Sequence, residues 1–159
     1  MSQKRDALQK RDLLIVCNLR QNARETLTRM SRKTNIPIST IYDRLKHHER
    51  DLITRHTSLI DFAKLGYSTR AIVLLSVARE QRDALRDYLA THHSVNTLIK
   101  INDEYDYLAE LICKQIRDIE EFMERTEERF RVKRKKVYYV TDEVKREGFL
   151  SDPKLVSML

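Results

Sequence analysis

Glycine and proline are scarce, with two of each in 159 residues. Gly66 and Gly148 alone cannot build GxGxxG, nor GxxxxGK followed by Ser or Thr, so the glycine-rich phosphate loops of nucleotide enzymes are excluded. Cysteine is equally sparse, and Cys17 and Cys113 stand too far apart for a CxxC site. Both fall among apolar residues, the pattern of buried thiols in a reducing compartment. No run of about 18 apolar residues occurs, which excludes a spanning helix. The charged start MSQKRDALQKRD also lacks the apolar core of a signal peptide. A cytoplasmic location is expected.

What the chain does have is positive charge, unevenly placed. The formal net charge is +7; residues 1–60 carry 13 Lys and Arg against 6 Asp and Glu, whereas residues 61–159 carry 18 of each. A basic N-terminal segment on a neutral remainder is the electrostatic footprint of a polyanion binder, because neutralised phosphates supply most of the sequence-independent affinity. Membrane binding would need a strong apolar face opposite the cations, and none is evident. Hydrophobic residues make up 41% of the chain, enough for one medium domain or two small ones.

The basic charge is concentrated around Thr26 to Arg50, TLTRMSRKTNIPISTIYDRLKHHER. Leu27, Met30, Ser31 and Thr34 recur at helical spacing, Ile36-Pro37 interrupts, and Ile41, Leu45 and His48 resume the pattern on one face of a second helix. Thr26 is placed to cap the first of these helices. Pro37 favours entry to the second through its fixed φ, without a side-chain cap. With a preceding helix over residues 4–20, carrying Asp12, Leu13, Ile15, Val16 and Leu19, the pair makes a three-helix unit. The core stripe of the second helix leaves Ser39, Asp43, Lys46, His47 and Arg50 pointing away, with Thr40 and Tyr42 on the flanks. Such a face suits a recognition helix in a DNA major groove. Ser39, Thr40, Tyr42 and Asp43 then read bases, and Arg44, Lys46, His47 and Arg50 hold phosphates. A solvated face on an ordinary helical hairpin is the competing reading.

Residues 52–62, with β-branched residues in loose alternation, predict a strand-like wing or linker, and Gly66 marks a turn and a boundary. Beyond it the expected elements are a strand over 68–77, a helix over 81–92, strands over 95–102 and 105–113, a helix over 116–130 and a strand over 137–140. The order βαββαβ is the ferredoxin-like split unit. Two helices cover one face of such a sheet. The other face is too apolar to stand in water, so a symmetric dimer is expected.

Other clusters have plainer explanations. His47-His48 and His92-His93 diverge by about 100° on a helix, unlike metal ligands at i and i+4. Glu120, Glu121, Glu124, Glu127 and Glu128 interleave with Arg117, Arg125 and Arg129 as a solvated, ion-paired face. The run Arg131, Lys133, Arg134, Lys135, Lys136 reads as an edge strand whose charge blocks aggregation. No catalytic residues, metal or cofactor are expected.

The whole resembles the Lrp/AsnC family of transcription regulators over about residues 10–148. Asp12 with Ile15, Val16 and Leu19, then Asn22-Ala23-Arg24-x-Thr26, resembles that family's first helix and its exit. Residues 37–46, PISTIYDRLK, resemble its recognition helix. Asp103-Glu104-Tyr105-Asp106-Tyr107 resembles the turn before the third strand, and residues 133–145 the closing strand. The resemblance implies an α+β chain with a winged-helix-like helix-turn-helix domain (1–52), a strand linker (53–66), a ferredoxin-like dimerisation and effector domain (67–148) and a tail (149–159). It further implies a homodimer or higher even oligomer bound to double-stranded DNA, with an amino-acid-like effector near Asp103, Tyr105 and Asp106. Three departures stand out. Asn35 replaces the usual turn Gly, Asp51 the Gly that ends the recognition helix, and Asp103 the Gly that opens the effector turn. A non-specific architectural DNA-binding protein and a ligand-sensing assembly module remain open alternatives.

Overall fold

The computed structural model describes residues 10–154. The chain divides into two compact units, one holding the residues up to Ser58 together with the segment from Val144 onward, the other Leu59–Glu143.

The first unit is built on α1 (Lys10–Gln21), α2 (Leu27–Thr34) and α3 (Ile38–Asp51). The expected start of the first helix at residues 4–9 lies outside the described residues. Ile15, Met30, Ile36 and Ile41 form its core, with Leu19 and Leu27 packed at the margin. Local chemistry sets the turns. The Thr26 hydroxyl accepts from the Arg29 N–H at 3.3 Å, and Asn35 ends α2 at φ 54°, a left-handed conformation that Asn tolerates. Pro37 opens α3 at φ −56° without a side-chain cap. Asp51 closes α3 inside the helix and not at positive φ, so this position has no need of glycine. The chain after Val144 is tied to α1 by Arg20, whose guanidinium donates to the Phe149 carbonyl at 2.6 Å and meets the Glu147 carboxylate at 2.6 Å.

The expected strand linker is not a strand. Residues 53–61 form no ladder among the described residues, and the first regular element after α3 is a 3-10 turn, Phe62–Leu65, capped by Asp61. A strand is defined by a hydrogen-bonded neighbour, which local sequence does not supply. Leu59 and Ile60 remain exposed. Gly66 follows at φ 87°, the turn anticipated from the sequence.

The second unit is a four-stranded antiparallel sheet in the order β2-β3-β1-β4, formed by β1 (Thr69–Val77), β2 (Val95–Lys100), β3 (Tyr107–Cys113) and β4 (Val132–Tyr139). Helices α4 (Arg82–Thr91) and α5 (Ile116–Arg129) provide the βαββαβ connections. Ala71, Val73, Leu75 and Val77 alternate with half-buried residues along β1 and join Leu85, Leu89, Leu111, Ile119, Phe122 and Met123 in the core. Expected boundaries shift in three places. β2 ends at Lys100 and β3 begins at Tyr107. β4 takes in the basic run, beginning at Val132 rather than Val137. Lys133, Arg134, Lys135 and Lys136, the four of the run's five cations that lie in β4, hid the alternation of an edge strand that is mostly solvated.

Cys17 and Cys113 are unpaired and buried, and burial pushes both thiols above the ordinary range. Among the described residues, no helix is long and apolar enough to cross a membrane.

Candidate nucleic-acid interface and effector region

Helix α3 packs into the first unit through Ile41 and His48, both buried. At 3.6 residues per turn this places Ser39, Asp43, Lys46 and Arg50 on the far side, and all four are exposed, as are Tyr42 and His47; Thr40 is half-buried. Two of these groups form a single element. The Lys46 ammonium lies 4.4 Å from the centre of the Tyr42 ring, and its hydrogen bond to the Tyr42 side chain pushes its pKa up. The spacing i, i+4 made that pair legible in advance. His47 faces Asp51 at 3.3 Å, both side chains being exposed.

Arg44, read from the sequence as a phosphate contact, lies on the α1 flank of α3 with its side chain 40% exposed. Its Nη1 is 3.5 Å from the Asp12 carboxylate of α1, and the other oxygen of Asp12 accepts from His48 Nε2 at 3.0 Å. Asp12 and His48 are each only 3% exposed, so the contact between these two is interior. Arg44 sits at the α1 flank of α3 because it is one turn before His48 on the packed side. The periodicity had placed His48 on the core stripe, and a polar group there requires a partner. That partner is Asp12, 36 residues away.

The effector turn resolves differently for its three residues. Asp103 is exposed with φ 77°, the region favouring glycine, which explains why a Gly is usual there; Asp is among the few side chains that tolerate it. Tyr105 is half-buried. Asp106 is turned inward. One carboxylate oxygen accepts from the Val77 N–H at 2.9 Å and the other meets Arg82 Nε at 2.7 Å. These contacts tie the start of β3 to the end of β1 and to α4.

A separate groove of about 360 Å³ lies between α5 and β4, lined by Ile119, Met123, Val137 and Tyr139 and by Glu120, Glu124 and the Glu127–Lys135 pair. None of Asp103, Tyr105 and Asp106 lines it.

On the sheet face away from the helices, Ile72, Leu74, Leu108 and Ile112 are half-buried at the centre, with Ile99 and Tyr138 exposed beside them. This face also holds a polar cluster that sequence reading missed. The buried Glu110 carboxylate accepts from Arg70 at 2.5 Å, Asn96 at 2.6 Å and Thr97 at 2.7 Å. These bonds and the Arg70 charge outweigh burial and hold its carboxyl below the usual range. Only strand pairing brings the four groups together.

No family model matches the chain. It is 26% identical over 114 residues to the HTH-type transcriptional regulator FL11 of Pyrococcus horikoshii, covering 71% of this chain and 76% of that protein. Over 71 residues it is 32% identical to an uncharacterized HTH-type transcriptional regulator of Pyrococcus furiosus, covering 44% of this chain and 47% of the other. Among solved structures it is similar to LrpC of B. subtilis, with TM-score 0.79, 19% identity and coverage of 87% and 98% of the two chains. It is also similar to a transcriptional regulator of Neisseria meningitidis solved as a complex with L-Met, with TM-score 0.83, 21% identity and coverage of 96% and 100%. These likenesses fix the fold as a helix-turn-helix unit joined to a ferredoxin-like unit.

Proposed function

We infer that this chain is a transcription regulator of the Lrp/AsnC type, binding specific DNA sequences through α3 and dimerising through the open face of its sheet. The observation that carries the reading is the exposed polar side of α3, Ser39, Tyr42, Asp43, Lys46 and Arg50, on a helix held by an ordered core. The +7 net charge supplies attraction to phosphate, and the names of the sequence relatives support the same role. In this reading Ser39, Thr40, Tyr42 and Asp43 lie against base edges, while Lys46, His47 and Arg50 contact phosphates. Arg44, 3.5 Å from Asp12 and 40% exposed, remains a candidate phosphate contact.

The uncovered faces of two sheets pair to bury Ile72, Leu74, Leu108 and Ile112, and the dimer presents two α3 helices to half-sites about one DNA turn apart or a multiple of it. An amino-acid-like effector would approach near Asp103 and Tyr105. The negative Asp103 side chain there opposes the carboxylate of a simple amino acid, and Asp106 is already engaged. The proposed partners are double-stranded DNA, a second copy of the chain and a small effector.

Selection of binding sites from random duplexes, followed by footprinting, tests the reading. Discrete protected sites are the expected result. Uniform coverage without sequence selection would leave the architectural alternative.

A further inference from the structure

We propose that Asp12 is the positioning residue of α3, fixing the rotation of that helix about its own axis and thereby the sequence discrimination of its exposed face. The proposal rests on the reading of α3 as the DNA-contacting helix. The apolar core of this unit is small, resting on Ile15, Met30, Ile36 and Ile41. Burial of Ile41 sets which face of α3 points inward, but apolar contacts are less directional than hydrogen bonds, so a polar tie can narrow the rotation further. Asp12 supplies direction. Its two oxygens reach two successive turns of α3, Arg44 at 3.5 Å and His48 at 3.0 Å.

His48 lies about 160–180° around the helix from Ser39, Lys46 and Arg50 at 3.6 residues per turn. A rotation of about 20° would swing side chains at a radius of 5–6 Å by about 2 Å. That displacement is enough to break a base-edge hydrogen bond, whose tolerance is a few tenths of an ångström. The Asp12–His48 contact is buried, each residue being 3% exposed, while the Arg44 side chain is 40% exposed. The buried contact therefore acts on DNA recognition without touching DNA.

The test separates positioning from mere stability. Replacing both members of a buried polar pair by apolar groups of similar size is often neutral or stabilising, so the full-length D12L/H48L chain is expected to melt at or above the wild-type temperature. Its preference for a selected site over random DNA should nevertheless fall about tenfold or more, the discrimination carried by one base contact, while its affinity for random DNA and its salt dependence stay close to wild type. His48→Gln, which keeps an N–H donor toward Asp12, should retain most of the preference. Equal discrimination by D12L/H48L and wild type would overturn the proposal while leaving the regulator reading intact. A wild-type chain that selects no sequence would overturn both. Should the double variant fail to fold, His48→Leu against His48→Gln at matched temperatures below their melts makes the same comparison, and equal site preference for the two would again overturn it.

Discussion

Asp106 offers the sharpest test of how the second unit is held together. Its carboxylate accepts from the Val77 N–H at 2.9 Å and pairs with Arg82 Nε at 2.7 Å, while its backbone N–H donates to the Leu75 carbonyl at 2.8 Å. With Asp106 8% exposed, replacement by Ala removes the acceptor and leaves the Val77 N–H without it in a site that water reaches poorly. A hydrogen bond to a charged group contributes about 1.5–3 kcal/mol. The Arg82 pair adds at most about 1 kcal/mol, since Arg82 is 46% exposed. The expected loss is about 2–3 kcal/mol, a fall of about 10–20 °C in the melting temperature of a unit this size. Asp106→Asn keeps an acceptor for Val77 and should lose only about 1 kcal/mol. Urea and thermal unfolding followed by far-UV circular dichroism provide the measurement. An Asp106→Ala variant within about 0.5 kcal/mol of wild type, the range of an ordinary surface substitution, would refute this account. A loss of effector binding in Asp106→Asn at unchanged stability would return the residue to the ligand.

Four further outcomes are expected. Arg50→Ala should weaken binding to all DNA alike and reduce the salt slope by about one unit per lost phosphate contact, whereas Thr40→Val should cost about 1–3 kcal/mol on selected sites only; titrations on both DNAs at two salt concentrations tell these apart. Wild type should sediment as the proposed dimer and Leu108→Asp, opposite Leu74 on the open sheet face, as a monomer at micromolar concentration; a dimeric variant would move the interface elsewhere. Asp103→Gly should stabilise the turn by about 0.5–1 kcal/mol, because glycine adopts the left-handed region freely, and should raise affinity for neutral amino acids in calorimetry. His92 is held below the ordinary histidine value, first by burial and then by His93 and Arg125, and its Nδ1 accepts from the Ser94 N–H at 3.2 Å. The unfolded chain therefore binds the proton more readily, so this contribution is fully present above about pH 6.5 and is lost as pH falls below it. The urea midpoint of wild type should drop more between pH 7.5 and 5 than that of His92→Gln.

Much of the architecture is local in origin and so was legible in the chain. Thr26, Asn35 and Pro37 set the ends of α2 and α3 by rules that act within four residues. The alternation from Thr69 to Val77 and the helical stripes of α4 and α5 gave the βαββαβ order. The outward face of α3 followed from the same periodicity. Element ends were less legible where charge masked the pattern, as in β4 from Val132 to Lys136.

Three features depended on groups brought together from distant positions. Residues 53–61 form no strand because a strand exists only beside another, and none pairs with them among the described residues. Asp106 reads in sequence as part of a ligand turn, but antiparallel pairing of β1 and β3 delivers it to Val77 and Arg82. Arg44 reads as one more cation on a basic helix, but the packing of α1 on α3 puts Asp12 against it and against His48. Periodicity states which way a side chain faces along its own element. What it meets there is decided by the packing of elements far apart in the chain, and for a buried carboxylate that partner determines whether it binds a ligand or holds the fold.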